Sequence, residues 1–259
     1  MQEKPFVAIC KIEEPKTSGI TPMLQDEIRG TYPAYISLQA GEKVSIDESC
    51  RQLLLFLIQG SVDFIQNDST PLTFAERVAY IPDPQIRTEI QANSDSFLFM
   101  LSWDVSEEDR CLLKNRPIRY PYIQYYRNCP QYTEPFKSAK TISRTIVPHN
   151  LLPRFSMGSN EAGENDRVEM NNHPHIDQYF FSFPENDVFL LIENKKIHFT
   201  GNTFLHVPLG CNHGVEIGSG QKMHYIWIDF IIDAEGIKYL DTVHQPIQSN
   251  NQVERKEKI

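Results

Sequence analysis

Histidine is missing from the first 148 residues, and all eight histidines lie at or beyond His149. Any site that works through imidazole is therefore confined to the second half of the 259-residue chain. Cysteine is scarce and unpatterned. Cys10, Cys50, Cys111, Cys129 and Cys211 form no CxxC pair, which excludes a zinc ribbon and fits reduced thiols better than a disulfide frame. Basic charge is short as well: 25 Lys and Arg stand against 34 Asp and Glu, a formal net charge of −9. Affinity for DNA or RNA rests on clustered cations that neutralise phosphates, so no nucleic-acid partner is expected. Long apolar runs are absent too. The longest, "LLLFLI" at Leu53 to Ile58, falls far short of the ~20 residues that span a bilayer, and "MQEKPFVAIC" has no signal-peptide core. The expectation is a cytoplasmic protein without a membrane partner.

What is present is β structure. Runs such as "YPAYISLQ", "LLLFLIQGSVDFIQ", "SFLFMLSW", "DQYFFSF", "DVFLLIENKKIHFT" and "KMHYIWIDFII" carry β-branched and aromatic residues, each bounded by Gly, Pro, Asn, Asp or Ser. That is the punctuation of an all-β sandwich or barrel. Helical periodicity is confined to "VSEEDRCLLKN" at 105–115, with Ser106 placed to cap it, and "DAEGIKYLDTV" at 233–243. The chain divides into an N-terminal arm (1–29), a first barrel (30–115), an aromatic linker (116–145), a second barrel (146–243) and a polar tail (244–259) without apolar periodicity, expected to be disordered. The linker tyrosines are expected to pack across the junction. One strand-turn-strand plan is used twice, since Pro82 and Pro208 lie 126 residues apart, as do Arg87 and His213.

The second block resembles the cupin family. "GNTFLHVPLGCNH" carries that family's second motif, with Gly201, Pro208, Gly210 and His213 in place. Counting back, the family's glycine position falls on Glu185, its glutamate on Gln178, and its His-x-His pair on Asn171 and His173. The resemblance implies a jelly-roll barrel whose inward side chains hold a divalent transition metal, Fe, Mn, Ni or Zn, and it assigns Asn171, His173, Gln178 and His213 as the ligand set. Two of those four are amides where the family has an imidazole and a carboxylate. A second register pairs His173 with His175, supplying three imidazoles but breaking the spacing to Glu185. In the first register His175 is a neighbour and the candidate acid–base residue. Arg144, His149 and Arg154, in "SRTIVPHNLLPRF", are candidates for binding an acidic substrate. The run "GSNEAGENDRVE" reads as a solvated loop placed to cover the opening.

The first block resembles a cupin more distantly, and the sensor half of arabinose-type transcription regulators most. In the same register its ligand positions fall on Ile46, Glu48, Leu53 and Arg87, a set that holds no metal. The polar tail offers no helix-turn-helix module of the kind those regulators carry. The whole chain thus reads as a bicupin, two jelly-roll barrels in tandem, expected to pair as a homodimer through barrel edges. The preferred reading is a metal-dependent enzyme of isomerase, lyase or dioxygenase type acting on a small anionic or hydroxylated metabolite. The alternative is a non-catalytic bicupin that binds or senses a sugar or organic acid without metal.

Overall fold

The computed structural model describes residues 7–12, 18–48, 51–67 and 69–247. Within them the chain forms two sandwiches, each a large antiparallel sheet packed on a small one. In the first, the strands Tyr122–Tyr125, Val78–Ile81, Arg51–Gln59, Ser96–Asp104, Thr31–Leu38 and Gly19–Pro22 lie side by side. The facing sheet is Lys43–Ile46, Thr88–Ala92, Val62–Gln66 and Leu72–Phe74. The second sandwich is built likewise. Its small sheet runs Asp166–Asn171, His213–Ile217, Asp187–Ile192 and Lys195–Thr200. Its large sheet contains Thr203–Val207, Ile176–Ser182, Met223–Ile231, Phe155–Ala162 and Ile142–Leu152, widened by short edge strands.

The unbroken apolar run at 53–58 is explained by burial on both faces. Successive strand residues point to opposite sides. Leu53, Leu55 and Leu57 accordingly enter the first barrel's own core, while Leu54, Phe56 and Ile58 enter a second core between the barrels. The second barrel mirrors this, with Tyr179, Phe181, Ile226 and Ile228 facing the junction and Phe180, Tyr225 and Trp227 facing inward. Aromatic contacts stitch the two large sheets together: Phe99 lies 5.2 Å from Phe181 and 5.6 Å from Phe204, and Trp103 stacks on Phe155 at 4.4 Å, ring centre to ring centre. Tyr122 and Tyr126 of the aromatic segment join the same core. The interior of the first barrel is filled by Ile36, Phe64, Phe74, Tyr80 and their neighbours.

Both expected helices form. α1 is Glu107–Asn115, with a capping box between Ser106 and Asp109, and α2 is Ala234–Val243, N-capped by Asp233. Neither is long and apolar enough to cross a membrane. The four cysteines in the described residues, Cys10, Cys111, Cys129 and Cys211, are free thiols.

Three segments differ from the sequence reading. In the arm, Ile9–Lys11 crosses to the second barrel and pairs with Thr203–Leu205. The run "GSNEAGENDRVE" is mostly strand, belonging to Phe155–Ala162 and Asp166–Asn171, because Ser159 and Asn160 point into packed surroundings rather than solvent. The tail begins ordered, since Gln245–Pro246 pairs with Gln131–Thr133. The remainder of the expected disordered tail, 248–259, lies outside the described residues.

Candidate functional site

The second motif folds as a strand, a tight turn and a strand. Gly201 is demanded by close packing, since a Cβ there would sit 2.0 Å from the Pro184 carbonyl oxygen. Gly210 turns the chain with a φ of +73°, and Cys211 N–H closes the turn on Pro208 O at 3.0 Å. The turn delivers His213 to the start of its strand, where it is directly opposite Asn171. Asn171 ends the neighbouring strand, its Nδ2 donating to Glu169 O at 3.0 Å and His213 O at 3.4 Å. His173 follows in the turn closed by Ile176 N–H on His173 O. Gln178 then points inward from the strand Ile176–Ser182, and its Nε2 donates to Asp229 Oδ1 at 2.7 Å.

Asn171, His173, Gln178 and His213 therefore line one cavity, of about 40 Å³, inside the second barrel. That is room for a water molecule or so. Residues outside the motifs complete the wall: Glu134 and Lys137 from the aromatic segment, Tyr225, Trp227 and Asp229 from the last long strand, and Tyr239 and His244 from α2 and its end. Tyr239 covers His173 at 5.1 Å between ring centres. Helix α2 is thus the lid of the barrel, held at its apolar side by Leu240 against Ile176 and Ile231.

The electrostatics are those of a narrow, polar chamber. Burial, reinforced by the neighbouring His213, pushes the His173 imidazole down to about 3, and burial takes His213 down to about 4, so both rings are neutral at pH 7. His213 donates Nδ1–H to Cys211 O at 3.1 Å, which fixes its tautomer and leaves Nε2 with the lone pair. Lys137 is paired with Glu134 and donates to Asn160 Oδ1 at 2.6 Å. His244 Nε2 meets Glu134 at 3.2 Å. Burial works to raise the Glu134 carboxyl, but Lys137 and His244 outweigh it and hold it at about 2. Asp229 goes the other way: burial lifts it to about 7 against the bond from Gln178. Among the polar atoms of chamber-lining residues cut off from solvent without a hydrogen-bond partner are His173 Nδ1, Asn171 Oδ1 and Trp227 Nε1.

The residues assigned by the family pattern do not fit a divalent ion held by the protein alone. Such ions are stabilised by imidazoles together with anionic oxygen, and here the two non-histidine positions are neutral amides, one with its nitrogen end bound to Asp229. The nearby carboxylates are already engaged, Glu134 with Lys137 and His244, Asp229 with Gln178. The Lys137 ammonium lines the same cavity and is paired with Glu134, the two acting on both rings with opposite sign, so the pair leaves little net anionic charge to hold a cation. Among the described residues no three His, Cys, Asp or Glu are grouped to hold a metal.

Four further candidates lie elsewhere. His175 points away from the chamber, its Nδ1 against Asp233 Oδ2 at 2.9 Å, so its expected acid–base role is replaced by a bond that ties the turn to the cap of α2. His149 binds Asp241 on the outside of the same helix at 2.8 Å. Arg144 is committed to Glu161 at 2.9 Å and to the ring of Tyr126. Arg154 clamps the first turn of α1 through Asp109 and Ser106. None of the three expected substrate-binding residues lines the chamber, because alternation along Ile142–Leu152 and the turn after it directs them to the junction and the exterior. What the sequence reading missed, Glu134, Lys137, Asp229, Tyr239 and His244, lies outside both motifs. One of them left a signal: Asp229 shares the inward phase of Tyr225 and Trp227, and an acid in that phase is out of place in a packed barrel.

No family model and no curated protein matches the chain. Solved structures do. A putative glyoxylate-induced protein from Pseudomonas aeruginosa superposes with a TM-score of 0.71 at 7% identity, covering 88% of this chain and 90% of that one. A cupin 2 conserved barrel domain protein from Leptotrichia buccalis gives 0.56 at 11%, covering 86% and 92%. An oxalate decarboxylase from Bacillus subtilis gives 0.61 at 11%, covering 86% and 76%, and that enzyme is described by its Mn(II) centres. At these identities the likeness shows the fold: two cupin barrels in tandem.

Proposed function

We propose that this tandem cupin is a binding protein for a small hydroxylated acid, taken up in the second barrel without a metal. The observation that carries the reading is the presence of orphaned polar atoms on the chamber wall. A buried polar atom without a partner costs roughly 1–3 kcal/mol, and two of these orphans, Asn171 Oδ1 and His173 Nδ1, border the chamber that also holds the Lys137 ammonium. Asn171 Oδ1 accepts only, so it selects a hydroxyl donor. Lys137, though paired with Glu134, lines the chamber as the cation that a substrate carboxylate would share with that pair. A 2-hydroxy acid presents both groups a few ångströms apart, and α2 lifts to admit it.

Asp229 supports a second reading of the same site, as an isomerase or lyase. A carboxyl that titrates near neutrality gives and takes protons at pH 7, and Asp229 lines the chamber.

Calorimetric titration of the untagged chain, treated with a chelator, with glycolate and lactate tests the proposal. Saturable binding that weakens at least tenfold in Asn171→Ala and in His173→Leu is the expected result. A stoichiometric transition metal in the untreated chain, lost in His173→Ala and His213→Ala, would overturn it. So would the absence of binding to any 2-hydroxy acid.

A further inference from the structure

A second opening lies at one end of the first barrel, where α1 and the segment after it cross the strand Arg51–Gln59. Its volume is about 370 Å³, within the range of small-molecule sites. Its walls are mostly apolar, with Leu113 on α1, Ile118 on the following segment, and the ring of Tyr120. Gln52 also lines it. That side chain is 2% exposed, it accepts from Tyr120 OH at 3.1 Å through Oε1, and its Nε2 is shut off from solvent with no hydrogen-bond partner.

The charge at the rim is positive. Arg110 and Lys114 stand one helical turn apart on α1, line the same opening, and take part in no ion pair or side-chain hydrogen bond among the described residues. Arg51, also at the opening, is committed to Glu48 and Asp104. Burial raises the Tyr120 phenol, with a smaller push from Asp83. Two unengaged cations therefore line an opening whose wall carries no carboxylate, in a chain whose net charge is −9.

We propose that this opening binds a small aromatic carboxylate. The ring lies against Tyr120, Leu113 and Ile118, and the carboxylate accepts from Gln52 Nε2 while Arg110 and Lys114 pair with it from the rim. An orphaned donor beneath an apolar wall, with free cations at its edge, matches that ligand in both its parts: apolar area gives affinity, and the buried amide gives orientation. The site shares no residue with the chamber of the second barrel, so it stands whether or not the reading of that chamber holds.

The experiment is a titration of the full chain with benzoate, followed by ligand-observed nuclear magnetic resonance, with inorganic phosphate as the second probe. Saturable benzoate binding is expected, at least tenfold weaker in Gln52→Leu and in the double variant Arg110→Ala, Lys114→Ala. The control Lys43→Ala, which removes a cation elsewhere on the same barrel, keeps the wild-type affinity. The two α1 substitutions lie on a partly exposed helix face, so their result stands even if Gln52→Leu fails to fold. No saturation with benzoate, equal binding in the α1 double variant, or phosphate binding as tight as benzoate would each overturn the proposal.

Discussion

The rings of His173 and His213 lie 5.2 Å apart, centre to centre, tilted by 60°, with Tyr239 of the lid helix against the first of them. Both are neutral, but they are not equivalent, His213 being buried and His173 half-buried. His213 is bonded through Nδ1 to Cys211 O, whereas His173 Nδ1 has no partner.

That difference predicts opposite stability effects. His173→Leu removes an orphaned polar atom at nearly equal volume and is expected to leave the chain as stable as before or more so, by up to about 2 kcal/mol, while ligand binding in the chamber is lost. His213→Leu breaks a satisfied hydrogen bond and is expected to cost about 1 kcal/mol. Urea denaturation of the two variants checks the order. Equal destabilisation in both would show that His173 has a partner in solution.

Acidification should destabilise the fold, and the variants should separate the contributions. In the unfolded chain the two histidines take up protons near their ordinary 6.5, whereas in the fold they refuse them until about 3 and about 4. The unfolded state thus binds more protons as pH falls below 6.5, and stability is lost. Asp229 opposes this: folded, it is protonated from about 7, and unfolded only near 3.8, so its contribution grows as pH falls across that window. Two groups outweigh one. Thermal midpoints are expected to fall between pH 7 and pH 5, more steeply in Asp229→Asn and less steeply in His173→Leu. A variant Asp229→Asn with an unchanged slope would contradict a raised Asp229.

The Lys137–Glu134 pair inside the chamber makes a third expectation. Removing Lys137 leaves the buried Glu134 charge with only His244 beside it, and such losses run to about 3–5 kcal/mol. Lys137→Met is expected to fall in that range. The double change Lys137→Met, Glu134→Leu is expected to recover most of it, because no charge is left behind, and a double-mutant cycle in urea measures the coupling.

The fold was legible because its signals are local. Strand punctuation, the cap at Ser106 and the turn at Pro208 to Gly210 each act over a few residues, and "LLLFLI" marks a strand buried on both sides. The motif also located the chamber, since four positions on three strands and the turn between two of them do line one cavity. The rest of the wall was not legible, because Glu134, Lys137 and His244 arrive from segments with no shared period, brought in by the closure of the barrel and the return of the chain along its edge. His175 misled for a related reason. Its place beside His173 in "NHPH" falls in a turn, where neighbours in sequence diverge, and Asp233 draws it to the outside.

The strand Ile9–Lys11 lies on the far barrel from the sandwich that follows it in sequence, so the chain is threaded through both. Severing the segment between the sandwiches would not release two independent bodies. An isolated C-terminal half would instead leave Thr203–Val207 with a bare row of backbone donors and acceptors, an open template for any extended peptide, including another copy of itself. Fragments split near residue 116 and expressed together are accordingly expected to be recovered as one particle, and the second fragment alone as aggregate.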